Sequence, residues 1–486
     1  MHLMNKHAVR IALGLSLCLL LLQFFFRPLW RDEFWALYFS APQDPISDAV
    51  FSKMSKDVHP PLYFSALHFW RLISENEIFA RFFNLVCIFL AGWAAWRMRG
   101  TKGTGRETES NLFLFLCATS FWLIFYAAEI RMMGQLFLTS GLLVLISRNS
   151  LDDFEKPFKW ASLFIIAGTL TATMHYFGSL WTACIGASLG FTHLYRGRIK
   201  SFFIFGAASV ISLIPAVLWI LAFRPDQASG APDVLPPFAE NFAFGANQFL
   251  RGILVKTMFA NIMAFIAGCF GLAALLKRKS DDAPIMLIGA IALTILIAFT
   301  AHLGLVALIK ERAFIVIIPA MLYLLAAGIL SLQPHQTKAL KMASWVPFAA
   351  ILSLPLFTSE FFKDRERVAD LQSMLQAAPE CVGEPIIAYL RPSDQAEDFS
   401  AFMTQKLLNP SLQGKFNMIP LEEITSGQQS IPESACPVKI VAIALLRGER
   451  EFHEDMRDKL KSAGLPISQF EEISMGGGRT RAWVEK

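Results

Sequence analysis

The sequence predicts an α-helical polytopic membrane protein with a small soluble α/β domain at its C-terminal end. Apolar runs of roughly 18 or more residues recur as far as residue 358, each long enough to cross a bilayer. Basic residues gather in alternate connections between those runs. After Thr358 the composition turns polar and mixed, and strand-like segments alternate with amphipathic helical ones.

The apolar content leaves little room for a soluble reading. The chain has 486 residues, is 54% hydrophobic and contains 44 phenylalanines, and its mean hydropathy is +0.46. About eleven spans are expected: 8–26, 79–98, 110–128, 132–147, 160–177, 178–195, 201–222, 253–276, 284–301, 313–331 and 341–358. Lys6 and Arg10 precede the first span, and Arg97, Arg99, Lys102 and Arg106 follow the second. Arg148, Lys156 and Lys159 follow the fourth, and Arg196, Arg198 and Lys200 the sixth. Lys277, Arg278 and Lys279 follow the eighth, and Lys338 and Lys341 the tenth. Every alternate connection is basic, which places the N-terminus in the cytoplasm. The net charge of +5 is thereby a topology signal. No basic stripe stands outside those connections, so nucleic acid is not an expected partner. Arg27-Pro28-Leu29-Trp30 makes a poor signal-peptidase site, so the first span is expected to stay.

These spans divide the chain. Residues 1–358 form a membrane domain whose first non-cytoplasmic loop covers 27–78, and 359–486 form a soluble domain outside the cytoplasm. In the latter, 385–390 (PIIAYL) and 438–446 (VKIVAIALL) read as buried strands, and 362–378, 395–408 and 449–463 as amphipathic helices. It carries no active-site signature. Five of the seven cysteines lie in spans, where they act as small apolar residues. Cys381 and Cys436 are a candidate disulfide in an oxidising compartment, with two free buried thiols as the alternative.

Four clusters of unusual residues open on the non-cytoplasmic face. They are RDEFWALYFS (31–40) with DVHPPLYFSALHFW (57–70), then FYAAEIRMM (125–133), MHYFG (174–178) and IKERAFIVIIPA (309–320). Ionisable groups at membrane depth are costly and mark function by default. Their gathering at one rim, with mostly clean span centres, argues against alternating access through the midplane. It suggests a site fed from the outer leaflet.

With these residues in view, the chain resembles the polytopic glycosyltransferases of the GT-C class, nearest the branch of protein O-mannosyltransferases and lipid A aminoarabinose transferases. The resemblance rests on W-x-D-E at 30–33, D-x-HPPLY at 57–63, YAxExRM at 126–132, the His175-Tyr176 pair, and Arg312 before an apolar run with Pro319. It covers residues 1–358. Arg31 stands between Trp30 and the acidic pair, and Met133 stands where relatives commonly have Tyr. The resemblance implies a polyprenyl-phosphate-linked sugar as donor, undecaprenyl phosphate being the carrier in a bacterium. It also implies transfer outside the cytoplasm at the inner (plasma) membrane, to a lipid, glycan or protein acceptor. No Gly-rich phosphate cradle or nucleotide-binding unit is present.

Such an enzyme must deprotonate the acceptor, align it behind the anomeric carbon and stabilise the departing phosphate. Asp32 is the candidate general base, and Glu33 orients it, touches the acceptor or binds a metal. The structural alternative is a helix start stabilised by acids in its first turn. Pro60 keeps His59 out of the helical region and Pro61 suits a first helical position, so Asp57 and His59 stand at the mouth of an interfacial helix. The alternative there is a rigid turn capped by Asp57. Glu129 and Arg131 are two apart and would not face each other on a helix, so each needs another partner. Arg131 is a candidate for the donor phosphate, with an interhelical salt bridge as the alternative; Tyr126 supports the same element. His175 and Tyr176 are donor or metal candidates. Arg312, with Lys310, lies at phosphate depth and suits bidentate phosphate binding, the alternative being a snorkelling cation.

No cofactor is required by any motif. A divalent metal stays open, since Asp32, Glu33, Asp57, His59 and His175 supply ligand types without a recognisable metal spacing. Two other function classes stay open as well: a lipid-linked saccharide transporter, and a glycan ligase or polymerase that uses a diphosphate carrier.

Overall fold

The computed structural model describes residues 6–27, 29, 31–57, 59–99, 105–227, 240–247, 282–304 and 312–331, together with the strands 386–389, 417–420, 440–445, 470–475 and 480–485. They belong to two compact units. One comprises Met1–Phe25 and Phe39–Phe357, the other Phe26–Tyr38 and Thr358–Lys486.

The first unit is helical. α1 (Lys6–Phe26) is followed, after the segment of the second unit, by the short α3 (Ile46–Asp48), a π turn (Ala49–Lys53) and a 3-10 turn (Met54–Lys56). α4 (Leu62–Arg71) leads into α5 (Glu77–Arg97), which begins where the Asn76 side chain accepts from the Ile78 and Phe79 amides. α6 (Gly105–Ala118), α7 (Phe121–Ala127), α8 (Met133–Asp152), α9 (Pro157–Met174), α10 (Tyr176–Tyr195) and α11 (Ile199–Gln227) follow. After a helical stretch at 240–247 come α12 (Ala283–Gly304), a 3-10 turn (Ala313–Ile317) and α13 (Ile318–Ser331). Among the described residues, α5, α11 and α12 are long and apolar enough to cross a membrane. The fold is that of a polytopic membrane protein.

α8 is the centre of this unit. It is buried along nearly its whole length and packs on α5, α7, α9, α10 and α13. Its polar residues are therefore protein-facing. Thr139 donates to the Gln135 carbonyl at 3.0 Å and Ser150 to the Ser147 carbonyl at 2.7 Å, so these two hydroxyls are satisfied by their own helix. α9, α10 and α11 approach closely through small residues. A Cβ on Gly168 would lie 2.7 Å from Ser212 Oγ, and one on Gly186 would overlap Ser209. Phe89, Leu90 and Trp93 of α5 and Phe203, Val210 and Leu221 of α11 are more than half exposed. In a polytopic fold such faces meet lipid tails.

Several of the basic residues that mark the alternate connections are tied down by acids and carbonyls. Arg106 and Arg148 both pair with Asp152, at 2.6 and 3.3 Å. Arg148 also donates to the Tyr323 hydroxyl at 3.1 Å, and that hydroxyl donates to Glu109. Arg196 takes Asp282 in a two-pronged pair, which raises the arginine pKa above its ordinary value. Arg198 donates to the Leu151 carbonyl at 3.0 Å.

The expected span 110–128 is broken in two. Thr119 and Ser120 turn their hydroxyls back onto the Phe115 and Cys117 carbonyls, at 2.8 and 2.9 Å. Ser120 is extended (ψ 141°) and caps α7 by accepting from Leu123. Hydroxyl competition for backbone carbonyls ends one helix and starts the next. The expected spans 253–276 and 341–358 lie outside the described residues.

The second unit contains α2 (Arg31–Phe39) as far as Tyr38, and a five-stranded sheet in the order β2-β1-β3-β5-β4. β1 (Ile386–Tyr389) runs parallel to β2 (Asn417–Pro420) and β3 (Ile440–Leu445). β5 (Thr480–Glu485) runs antiparallel to β3 and to β4 (Phe470–Met475). β1 and β3 fall on the two segments that read as strands. The expected helices 362–378, 395–408 and 449–463, and Cys381 and Cys436, lie outside the described residues.

Candidate active site

Asp57 ends the 3-10 turn in an extended conformation (ψ 150°). Its carboxylate takes the His59 ring, Oδ2 to Nδ1, at 3.0 Å, with the two side chains 16% and 13% exposed. Pro61 stands at the start of α4, and no side chain caps it. Asp57 is thus spent on His59 and not on the helix. With a carboxylate as acceptor, His59 Nδ1–H donates, which leaves Nε2 for another partner.

His175 is the single residue between α9 and α10, and it is extended (φ −162°, ψ 145°). Its Nδ1 accepts from the Phe177 amide at 3.1 Å, capping α10. That bond places the ring proton on Nε2, as a donor. The ring centroids of His59 and His175 are 4.9 Å apart at 60°. Two motifs over a hundred residues apart in sequence thus meet ring to ring. Tyr176 is the first residue of α10 and half-buried.

Arg312 opens the 3-10 turn before α13, its carbonyl accepting from Ile315 at 3.2 Å. Two residues on, the fully buried Phe314 meets Phe177 edge-on at 5.7 Å. The Arg312 segment therefore packs where His175 turns the chain. Lys310 lies outside the described residues.

Glu129 and Arg131 sit in the turn between α7 and α8 and not on a helix. Both are buried, 1% and 5% exposed. Asn84 of α5 holds this turn: its amide donates to the Ala127 carbonyl at 3.0 Å and to that of Glu129. The Asn84 oxygen accepts from Gln135 of α8 and from the Tyr63 hydroxyl of α4 at 3.5 Å. The Arg131 guanidinium lies 5.8 Å from the Phe64 ring, a cation–π contact with α4. Tyr126 is buried and stacked on Trp122 at 5.7 Å, and Met133 is buried at the start of α8.

Asp32 and Glu33 occupy the first turn of α2, in the second unit. Glu33 is fully buried and Asp32 half-buried. A helix start here is the setting in which acids meet the positive end of the macrodipole.

No motif in the sequence marks Asn84, Arg71, Arg81 or Gln135. Arg81 and Asn84 stand inside the apolar run 79–98, and a polar side chain there is itself the signal that could have found them. Arg71 donates to the Ser40 carbonyl and hydroxyl at 2.9 and 3.0 Å, and Arg81 to the Phe24 carbonyl at 2.9 Å. Burial lowers the Arg71 pKa to about 10, against the pull of Glu75 and Glu77, so it stays charged at neutral pH. Among the described residues, no group of three or more His, Cys, Asp or Glu side chains is placed to hold a metal ion.

No family model matches the chain, and no curated protein does. Among solved structures it is similar to ArnT from Cupriavidus metallidurans, seen in a crystal structure of the apo state. The match covers 98% of each chain at a TM-score of 0.56 and 10% identity. The likeness extends over nearly the whole of both chains and is one of fold.

Proposed function

We propose that the chain is an integral membrane glycosyltransferase. It moves a sugar from a polyprenyl-phosphate carrier to a lipid, glycan or protein acceptor on the non-cytoplasmic face of the membrane. In a bacterium that membrane is the inner one and the carrier undecaprenyl phosphate. The observation that carries the reading is the meeting of His59 and His175 ring to ring, 4.9 Å apart, in a fold similar to that of ArnT. Direct contacts extend from this pair through Phe177 to the Arg312 segment. The Arg131 turn joins the same α4 through Phe64.

In this reading Asp32 takes the acceptor proton while the acceptor oxygen bonds to the anomeric carbon. The carbon–oxygen bond to the carrier phosphate breaks from the opposite side, so the anomeric centre inverts. The phosphate leaves with the bonding pair as polyprenyl phosphate. His175 Nε2–H supplies a donor to it, with His59 beside it, and Arg131, Arg312 and Lys310 supply positive charge. Asp57 holds the His59 ring, Glu33 orients Asp32, and Glu129, Tyr126 and Tyr176 line the same elements.

The test is full-length protein in nanodiscs and in sealed vesicles, given a polyprenyl-phosphate sugar labelled in the sugar. Release of unglycosylated polyprenyl phosphate together with labelled acceptor is expected. Movement of the intact carrier across the vesicle without bond cleavage would contradict transfer and favour a transporter. Activity only with a diphosphate carrier would favour a ligase or polymerase.

A further inference from the structure

We propose that Arg71 and Arg81 are positioning residues that clamp both ends of the segment carrying Asp32. The role in the reaction rests on the reading of Asp32 as the base; the clamp itself rests on contacts within the membrane unit.

The last carbonyls of a helix have no partner within it. α1 ends at Phe26, and the Phe24 carbonyl in its last turn accepts from Arg81 Nη1 at 2.9 Å. The neighbouring Gln23 carbonyl lies 3.5 Å from the same nitrogen. α2 ends at Phe39, and the next carbonyl, that of Ser40, accepts from Arg71 Nη1 at 2.9 Å. The Ser40 hydroxyl is 3.0 Å from that nitrogen. Each guanidinium thus holds a backbone carbonyl of the first unit that flanks the Asp32 segment in sequence, Phe24 before it and Ser40 after it. Arg71 is 2% exposed and Arg81 3%. Arginines seldom lie so deep unless they are paired, which makes these two unlike surface cations.

Both arginines come from one rigid hairpin. Arg71 ends α4, and Arg81 lies early in α5. Trp70 stacks on Phe79 at 4.8 Å and 11°, and its indole N–H donates to the Phe79 carbonyl at 2.8 Å. The same hairpin starts just after His59-Pro60-Pro61 and carries Asn84, which holds the Glu129–Arg131 turn. One hairpin thus holds the Phe24 and Ser40 carbonyls, on either side of the Asp32 segment in sequence, and the backbone of the Arg131 turn. Misplacement of a reacting group by about 1 Å can cost about 10²-fold in rate, so a fixed reference of this kind matters for turnover.

The experiment uses full-length protein in nanodiscs and compares Arg71→Ala, Arg81→Ala, Arg71→Lys, Ser40→Ala and Asp32→Asn. Hydrogen–deuterium exchange of residues 25–40 is expected to rise about tenfold in the two alanine variants, as for loss of one charge-assisted hydrogen bond, with α8 and α10 unchanged. Affinity for farnesyl phosphate, the donor-phosphate probe, is expected to stay within about twofold while turnover falls about 10²-fold. Added guanidinium should restore part of the turnover of Arg71→Ala. Unchanged exchange at 25–40 would overturn the clamp, and so would a rise spread evenly over the molecule. Equal losses of affinity and turnover would overturn the positioning role. Should the alanine variants fail to fold, Arg71→Lys and Ser40→Ala decide it by the same exchange measurement, and no change in either would overturn it. Normal turnover in Asp32→Asn would sink the base reading alone, since exchange judges the clamp independently.

Discussion

Asp57, His59 and His175 show how much three side chains determine at short range. Because His175 Nδ1 is occupied by the Phe177 amide, the ring can offer only its Nε2 proton. His175→Gln keeps a polar group but loses the fixed donor, and farnesyl phosphate should bind roughly tenfold more weakly, the worth of one hydrogen bond to a charged group. Asp57→Asn should take from His59 the carboxylate that its Nδ1 meets at 3.0 Å and leave the ring free to turn, so turnover should fall by roughly tenfold, the worth of one hydrogen bond to a charged group. An unchanged turnover would detach Asp57 from the chemistry. Arg312→Ala should weaken both binding and turnover, since a phosphate contact exists before the transition state and strengthens in it. Arg312→Lys should rescue only in part, a point charge being unable to reproduce a two-pronged contact. The HPP triplet made Asp57 and His59 legible, because proline restricts the chain whatever surrounds it. That His175 would lie against His59 was not legible: no local rule links residues so far apart in sequence.

At the scale of elements, the sheet and the helix interfaces divide what sequence can and cannot say. β1 and β3 are continuous apolar runs, which read as strands from sequence alone. β4 (FEEISM) and β5 (TRAWVE) have no clean alternation, so no period marked them. Asn84 escaped because the run around it is apolar enough to read as a plain span, although its amide holds two backbone carbonyls. Asn84→Ala would remove the amide from which both buried carbonyls accept, at a cost of about 1–3 kcal/mol for each bond lost. A fall in Tm of several degrees in detergent, with weaker farnesyl phosphate binding through the loosened Arg131 turn, is expected. An unchanged Tm would mean that other contacts hold the turn. Gly186→Val should push α10 from α11, because even a Cβ there overlaps Ser209, whereas Gly206→Ala, with open space around its Cβ, should be silent. Size-exclusion profiles and thermal melts distinguish the two.

For the whole molecule, the polytopic class was legible because hydropathy and basic connections are additive signals that need no tertiary knowledge. The grouping of Phe26–Tyr38 with Thr358–Lys486 was not, since compactness depends on contacts and not on composition. Cysteine labelling of intact cells, from a cysteine-free background, should find positions 32, 59, 131 and 312 on the non-cytoplasmic side. Cytoplasmic labelling at 59 or 312 would dissolve the single site. Deleting 359–486 should impair acceptor use or folding, and sugar transfer by the isolated tail would reverse the division of labour. The most direct test of the proposed transfer chemistry is the single-turnover rate of Asp32→Asn, with farnesyl phosphate affinity measured beside it in the same nanodiscs. Removing the proton acceptor while keeping the shape should lower the rate by roughly 10²–10⁴-fold, the span of general base catalysis, with affinity preserved. A near-normal rate would contradict that chemistry and leave Asp32 and Glu33 as the acidic first turn of α2.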